Sequence, residues 1–271
     1  RDLFAADLTK RQDISSVFSP DTVTAAETEV STLNRIIRSW FTFVSRFKVQ
    51  SMLGAAFFAL LAAAIILIGG RRLFGDFYKA DPNEPEPSYL SRLSVAFWST
   101  LLPAASFAVF LGVTYLLFEY FNVLRTDIRE LMYSAFSMAA IVFFIHRLAK
   151  AVLSPSLPNW RLAHVEAKPA RLLVNLLTAT AVVTGLDGFM TVVAETLGSP
   201  LSLTIAKSFA ASVLVGLFVV MISLVRPSGK SVIKSPFDRP TRTILFPLGL
   251  LPLAPALFGY IGLARFTTPQ P

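Results

Sequence analysis

The sequence predicts an all-α, polytopic membrane protein: a bundle of about six transmembrane helices preceded by a short extramembrane helical segment. Two observations carry this. Of 271 residues, 54% are hydrophobic and only 15% charged, whereas roughly a quarter of a soluble domain is charged. Six apolar stretches, at about 49–70, 93–118, 131–145, 172–194, 201–225 and 243–263, approach or exceed the ~20 residues that cross a hydrocarbon layer as a helix. A conventional soluble enzyme is excluded by that composition. The chain has no cysteine, which removes disulfides, thiolate catalysis and cysteine-ligated metal centres.

Residues 1–48 are polar enough to stay outside lipid and form one region, with 49–271 as the six-span membrane region. A short helix is expected over about 2–11. A second opens after SSVFSPD, where Ser19 can cap and Pro20 occupies the first helical position, at which a missing N–H does no harm. Val30, Leu33, Ile37, Trp40, Phe41 and Val44 recur at three- and four-residue spacing, so this helix is amphipathic. It is expected to pack on its own protein; the other reading is a helix lying among the head groups.

The first span closes on Arg71 and Arg72, and the loop after it holds Pro82, Pro85 and Pro87 among Asp81, Glu84 and Glu86, a composition that opposes helix and core alike. Pro103 lies inside the second span and removes one helical hydrogen bond there. EYFNVLRTDIRE turns into the third span, a loop containing LSPSLPNWRLAHVEAKPAR leads to the fourth, and ETLGSP turns tightly into the fifth. In the sixth, Pro247, Pro252 and Pro255 oppose a straight helix.

Basic residues set the orientation. The loops after spans one, three and five carry Arg71, Arg72, Lys79 and Arg92; Arg147, Lys150, Arg161, Lys168 and Arg171; and Arg226, Lys230, Lys234, Arg239 and Arg242. The loop after span two has only Arg125 and Arg129, and the loop after span four has none. The positive-inside rule places the basic loops in the cytoplasm and the amino terminus outside. The formal charge of +8 points to membrane lipid as the partner rather than nucleic acid, and Arg71, Arg72, Arg226, Lys230 and Lys234 are candidates to rest on anionic head groups. Topology determination alone also accounts for them.

Candidate chemistry is sparse. His146 and His164, with Glu166 beside the second, have no metal-ligand spacing, and no Gly-rich phosphate loop, HExxH, GxSxG or paired-carboxylate arrangement is present. No enzymatic activity, cofactor or metal is expected. The intramembrane charges are Asp187 in the fourth span and Lys207 in the fifth, each about seven residues from the external end of its helix and so roughly 10 Å deep. A charge at a helix centre costs about 2.5–3.5 kcal/mol, so an Asp187–Lys207 ion pair is the expected compensation, with upward snorkelling of Lys207 to Glu195 or water as the alternative. Ala62 to Ala64, Gly185, Gly188, Gly216, Gly259 and Gly262 are expected to allow close helix contact.

Three stretches share an order and placement with a known family. RDLFAADLTKR…SSVFSPD before the first span, LSPSLPNWRL after the third and GYIGLARF at the end of the sixth resemble the large MscS-type mechanosensitive channels of proteobacterial inner membranes. These members add a periplasmic amino-terminal domain and extra membrane helices ahead of the channel core. The resemblance implies that 1–48 is the tail of a periplasmic domain and that the six spans are an auxiliary, tension-coupled module around a homo-oligomeric pore. The pore helix and a cytoplasmic β-rich vestibule would follow Pro271. A competing expectation is a secondary transporter with inverted three-plus-three repeats, the Asp187–Lys207 pair and the proline-broken helices lining its site.

Overall fold

Five helices long and apolar enough to cross a membrane stand in the computed structural model, which describes residues 20–75, 88–154, 160 and 167–225. Helix α1, Pro20–Phe43, passes through a π-helical turn, Val44–Lys48, into α2, Val49–Leu73. Then come α3, Tyr89–Tyr120; α4, Thr126–Leu153; α5, Ala167–Leu197; and α6, Leu201–Leu224. From α2 to α6 each helix packs on the next in the chain, as short connections between antiparallel neighbours require. The expected short helix over 2–11, the Ser19 cap and the sixth span over 243–263 lie outside the described residues.

The first four expected spans fall within these helices and the fifth, 201–225, ends one residue past Leu224; several helices outrun the expected spans. The third, expected over 131–145, belongs to a helix running from Thr126 to Leu153, because its polar ends, Asp127 to Glu130 and His146 to Lys150, stay helical beyond the apolar stretch. Hydropathy locates the part of a helix that lies in lipid, whereas backbone hydrogen bonding sets its full length.

Large side chains such as Phe57, Phe58, Ile65 and Leu116 face outward, while small residues sit at the contacts. A Cβ on Gly70 would fall inside the van der Waals shell of Leu102 Cδ2, and one on Gly185 would lie 2.9 Å from Met138 Cγ. These glycines set the approach of α2 to α3 and of α5 to α4. Gly188 has no heavy atom within 4 Å of where its Cβ would be, so it does not share that role.

Pro103 sits in the interior of α3 and has no N–H to give to the Ser99 carbonyl four residues before it. A neighbouring helix satisfies that carbonyl: Arg147 of α4 donates from Nη2 to Ser99 O at 3.2 Å. Ser106 of α3 donates to Ala63 O of α2 at 2.8 Å. Where no water is available, such side chain to backbone bonds hold helices together that have little hydrophobic reason to associate.

Two predictions follow from these contacts. In α2, Gly54→Ala, which meets nothing within 4 Å, raises the Tm of the detergent-solubilised protein by the helix-propensity gain of up to about 1 kcal/mol. Gly70→Ala lowers it by crowding Leu102. In a double-mutant cycle, Arg147→Leu alone costs about 1.5–3 kcal/mol by stripping the Ser99 carbonyl, and Pro103→Ala recovers most of that loss by restoring the backbone donor.

Candidate functional site

Both short turns of the bundle close in the same way. After α3, Asn122 adopts φ 51°, with Val123 N donating to Phe118 O at 2.8 Å and Asn122 N to Glu119 O at 3.0 Å. After α5, Gly198 adopts φ 64°, with Ser199 N donating to Ala194 O at 2.9 Å and Gly198 N to Glu195 O at 3.4 Å. Each is a Schellman motif, with a left-handed residue just past the helix and crossed bonds back to its last turn. Asn and Gly stand where that conformation is least costly.

Helix α1 is fastened to the residue after the left-handed position in both turns. Trp40 Nε1 donates to Val123 O at 3.0 Å, and Ser199 Oγ donates to Glu29 Oε2 at 3.0 Å. Trp40 and Glu29 are eleven residues apart, just over three full turns, so they share a face and lie about 16 Å apart along the axis. The helix therefore bridges the α3–α4 and α5–α6 hairpins at the end of the bundle that carries the two turns. Lys48, in the π-turn, donates to Phe121 O at 3.1 Å, capping the carbonyl end of α3 with a positive charge. Below it, Val44, Ala55, Phe118, Val123, Leu124 and Ile128 form a buried cluster against which Ile36, Trp40 and Phe43 pack.

Glu29 is 8% exposed and both its oxygens are used. Oε1 accepts from Lys207 Nζ at 2.7 Å and Oε2 from Ser199. Lys207 lies six residues into α6, about 9 Å along it, so its stem runs up the helix to deliver the ammonium to Glu29. A cleft of about 300 Å³ adjoins the pair, between α1 and the α5–α6 turn. The hydroxyls of Thr24 and Thr28 beside it are committed to carbonyls of their own helix.

The expected Asp187–Lys207 pair does not form. Asp187 Oδ1 accepts from Ser208 Oγ at 2.9 Å. The two charges have similar depths, but Ser208, about 100° around the helix from Lys207, is the residue that meets α5. Lys207 extends instead to Glu29 of α1, not to the expected Glu195. The expected apolar face also divides: Val44, in the π-turn, is buried and Leu33 and Trp40 of α1 half-buried, while Val30, Ile37 and Phe41 face outward. The docking face instead carries Thr22, Glu29, Ile36 and Trp40. A helical register drawn through Trp40 passes Glu29 and Thr22, and this was the signal that counting apolar residues alone missed.

The remaining expected residues are dispersed. Arg71 and Arg72 are exposed at the end of α2; Arg226, Lys230, Lys234, His164 and Glu166 lie outside the described residues. His146 Nδ1 is 3.0 Å from Thr178 Oγ1. Arg125 pairs with Asp127 at 3.2 Å and Arg129 with Glu119 at 3.0 Å, so both arginines of the α3–α4 connection are balanced by acids. Among the described residues, the junction of α1 with the two turns is built from hydrogen bonds and one ion pair.

Removing one partner of a buried pair costs about 3–5 kcal/mol; because Lys207 keeps a quarter of its side chain in solvent, about 1–3 kcal/mol is expected here. Glu29→Gln and Lys207→Met should each speed amide hydrogen exchange over Pro20–Phe43, and the reversal Glu29→Lys with Lys207→Glu should restore part of the protection. Asp187→Asn should leave it unchanged. No family model, curated protein or solved structure matches this chain.

Proposed function

We propose that this chain is an auxiliary membrane module of an MscS-like mechanosensitive channel, in a bacterial inner membrane with its amino terminus periplasmic, coupling bilayer tension to a pore beyond Pro271. The observation that carries the reading is α1, a helix laid across two transmembrane hairpins and fastened to each at one turn. Tension favours whichever arrangement occupies more area in the plane of the membrane, so any spreading of the hairpins is resisted first at these fastenings. Each is a hydrogen bond or a charge-assisted contact with a net contribution of about 1–3 kcal/mol. That is the scale of the few-kcal/mol gap across which two conformations can interconvert. The π-turn at Val44–Lys48, where Lys48 leaves helical geometry with φ −131° and ψ 13°, gives α1 a joint on which to move relative to α2.

The resemblance in sequence order and the charge asymmetry of the loops support the same reading. Arg71 and Arg72, exposed at the opposite end of α2, would rest on anionic head groups at about 1 kcal/mol per charge near the surface. The pore would assemble as a homo-oligomer and supply the conduction.

Patch-clamp recording of the full polypeptide under graded suction tests the proposal. Deletion of 20–225 should shift the opening threshold, and Glu29→Gln should shift it toward lower tension by freeing the hairpins. A threshold indifferent to both changes rules out a sensing role.

A further inference from the structure

Helix α1 has three faces. The docked face carries Glu29 and Trp40. About 200–260° around the axis from Glu29 lie Thr24, Thr28, Ser31 and Thr42, all exposed, and each of their hydroxyls donates to a carbonyl of its own helix. Between these faces, about 80–120° from Glu29, runs an apolar row of Val23, Val30, Ile37 and Phe41, which are 57, 67, 46 and 64% exposed.

This row continues the outward surface of the membrane-spanning helix next to it. At four-residue spacing the exposed positions run from Ile37 and Phe41 through Ser45 of the π-turn to Val49, Leu53 and Phe57 of α2. Its depth suits the membrane surface. A hydrocarbon layer of ~30 Å counted back from Arg71 takes about twenty residues and ends near Ser51. Lys48, where the chain leaves helical geometry, is about 5 Å farther out, within the head-group layer, and from there α1 crosses two turns at one end of the bundle. The exposed charges from Val30 to Phe47 are Arg35, Arg38 and Arg46, all cationic, which complements anionic head groups. A second copy of α1 fits the row less well. A seam between helices needs two columns of knobs, and the second column here, Ala26, Leu33 and Trp40, is already half-buried within this chain. Fluid acyl chains need no such register.

We propose that α1 is a membrane-surface helix as well as a brace: its row of Val23, Val30, Ile37 and Phe41 lies in lipid at the boundary of head groups and acyl chains, with Arg35, Arg38 and Arg46 on the water side at the phosphates. The hydroxyl face then looks into water. This assignment does not rest on the tension reading, since a chain of any function could hold the helix there, and the opening threshold of a channel has no bearing on it.

The chain has no cysteine, so single cysteines carrying a spin label report without background. The full chain in nanodiscs of phosphatidylethanolamine and phosphatidylglycerol is measured by electron paramagnetic resonance, comparing collisions with oxygen, which concentrates in hydrocarbon, and with a water-soluble nickel chelate. Labels at Val30→Cys and Ile37→Cys should favour oxygen, as a label at Leu53→Cys of α2 does, whereas Ser31→Cys and Thr42→Cys should favour the chelate. All five side chains are exposed, so the labels displace no packed group. Chelate-favoured collisions at position 30 or 37 would overturn the proposal by placing the row in water. Spin–spin broadening between copies at those positions would overturn it in favour of a second chain. Oxygen-favoured collisions at 31 and 42 as well would overturn it by immersing the whole helix.

Discussion

Burying the carboxylate of Glu29 is the constraint around which one end of the bundle is organised. An ionised group taken from water must have its charge and its lone pairs answered, and Glu29 obtains both from outside its own helix: the ammonium of Lys207 and the hydroxyl of Ser199. Those two partners exist in the right place only because the Schellman turn at Gly198 brings Ser199 over the start of α6. The lysine likewise gains. A solitary ammonium nine or so ångströms down a membrane helix is costly, and α1 supplies the acid that lets it extend upward. Neither helix would keep its charged residue comfortably without the other.

The same logic recurs wherever the fold departs from regular helix. Pro103 leaves a carbonyl open in α3, and Arg147 fills it from α4. Phe121 and Val123 present carbonyls beyond the last turn of α3, and Lys48 and Trp40 fill those from the amino-terminal segment. In hydrocarbon a backbone group without a partner costs several kcal/mol. Irregular points therefore become points of attachment, and the contacts between distant parts of this chain gather at its turns and its proline.

The gross architecture was legible because it depends on a one-dimensional quantity. Greasy segments of sufficient length must be helices in lipid, so the spans at 49–70, 93–118, 172–194 and 201–225 emerge from hydropathy alone. What depends on rotation about a helix axis was harder to read. Asp187 and Lys207 matched in depth, yet depth says nothing about azimuth, and one residue's turn gave Asp187 to Ser208 instead. The stripe through Val30, Ile37 and Phe41 was the more apolar side of α1, but the side with hydrogen-bonding anchors is the one that docks. A polar residue on a docking face is invisible to a hydrophobic count, although Glu29 and Trp40 share a register that the letters contain.

The interval between those two anchors makes α1 a ruler. Inserting or removing a single residue between Glu29 and Trp40 would swing one anchor by about 100° and displace it by about 1.5 Å, so that only one hairpin could be gripped at a time. Side chains on the outward face can vary widely in size without disturbing this fit. The segment is thus tolerant of what it is made of and intolerant of how long it is, a property closer to that of a machined spacer than of an ordinary surface helix.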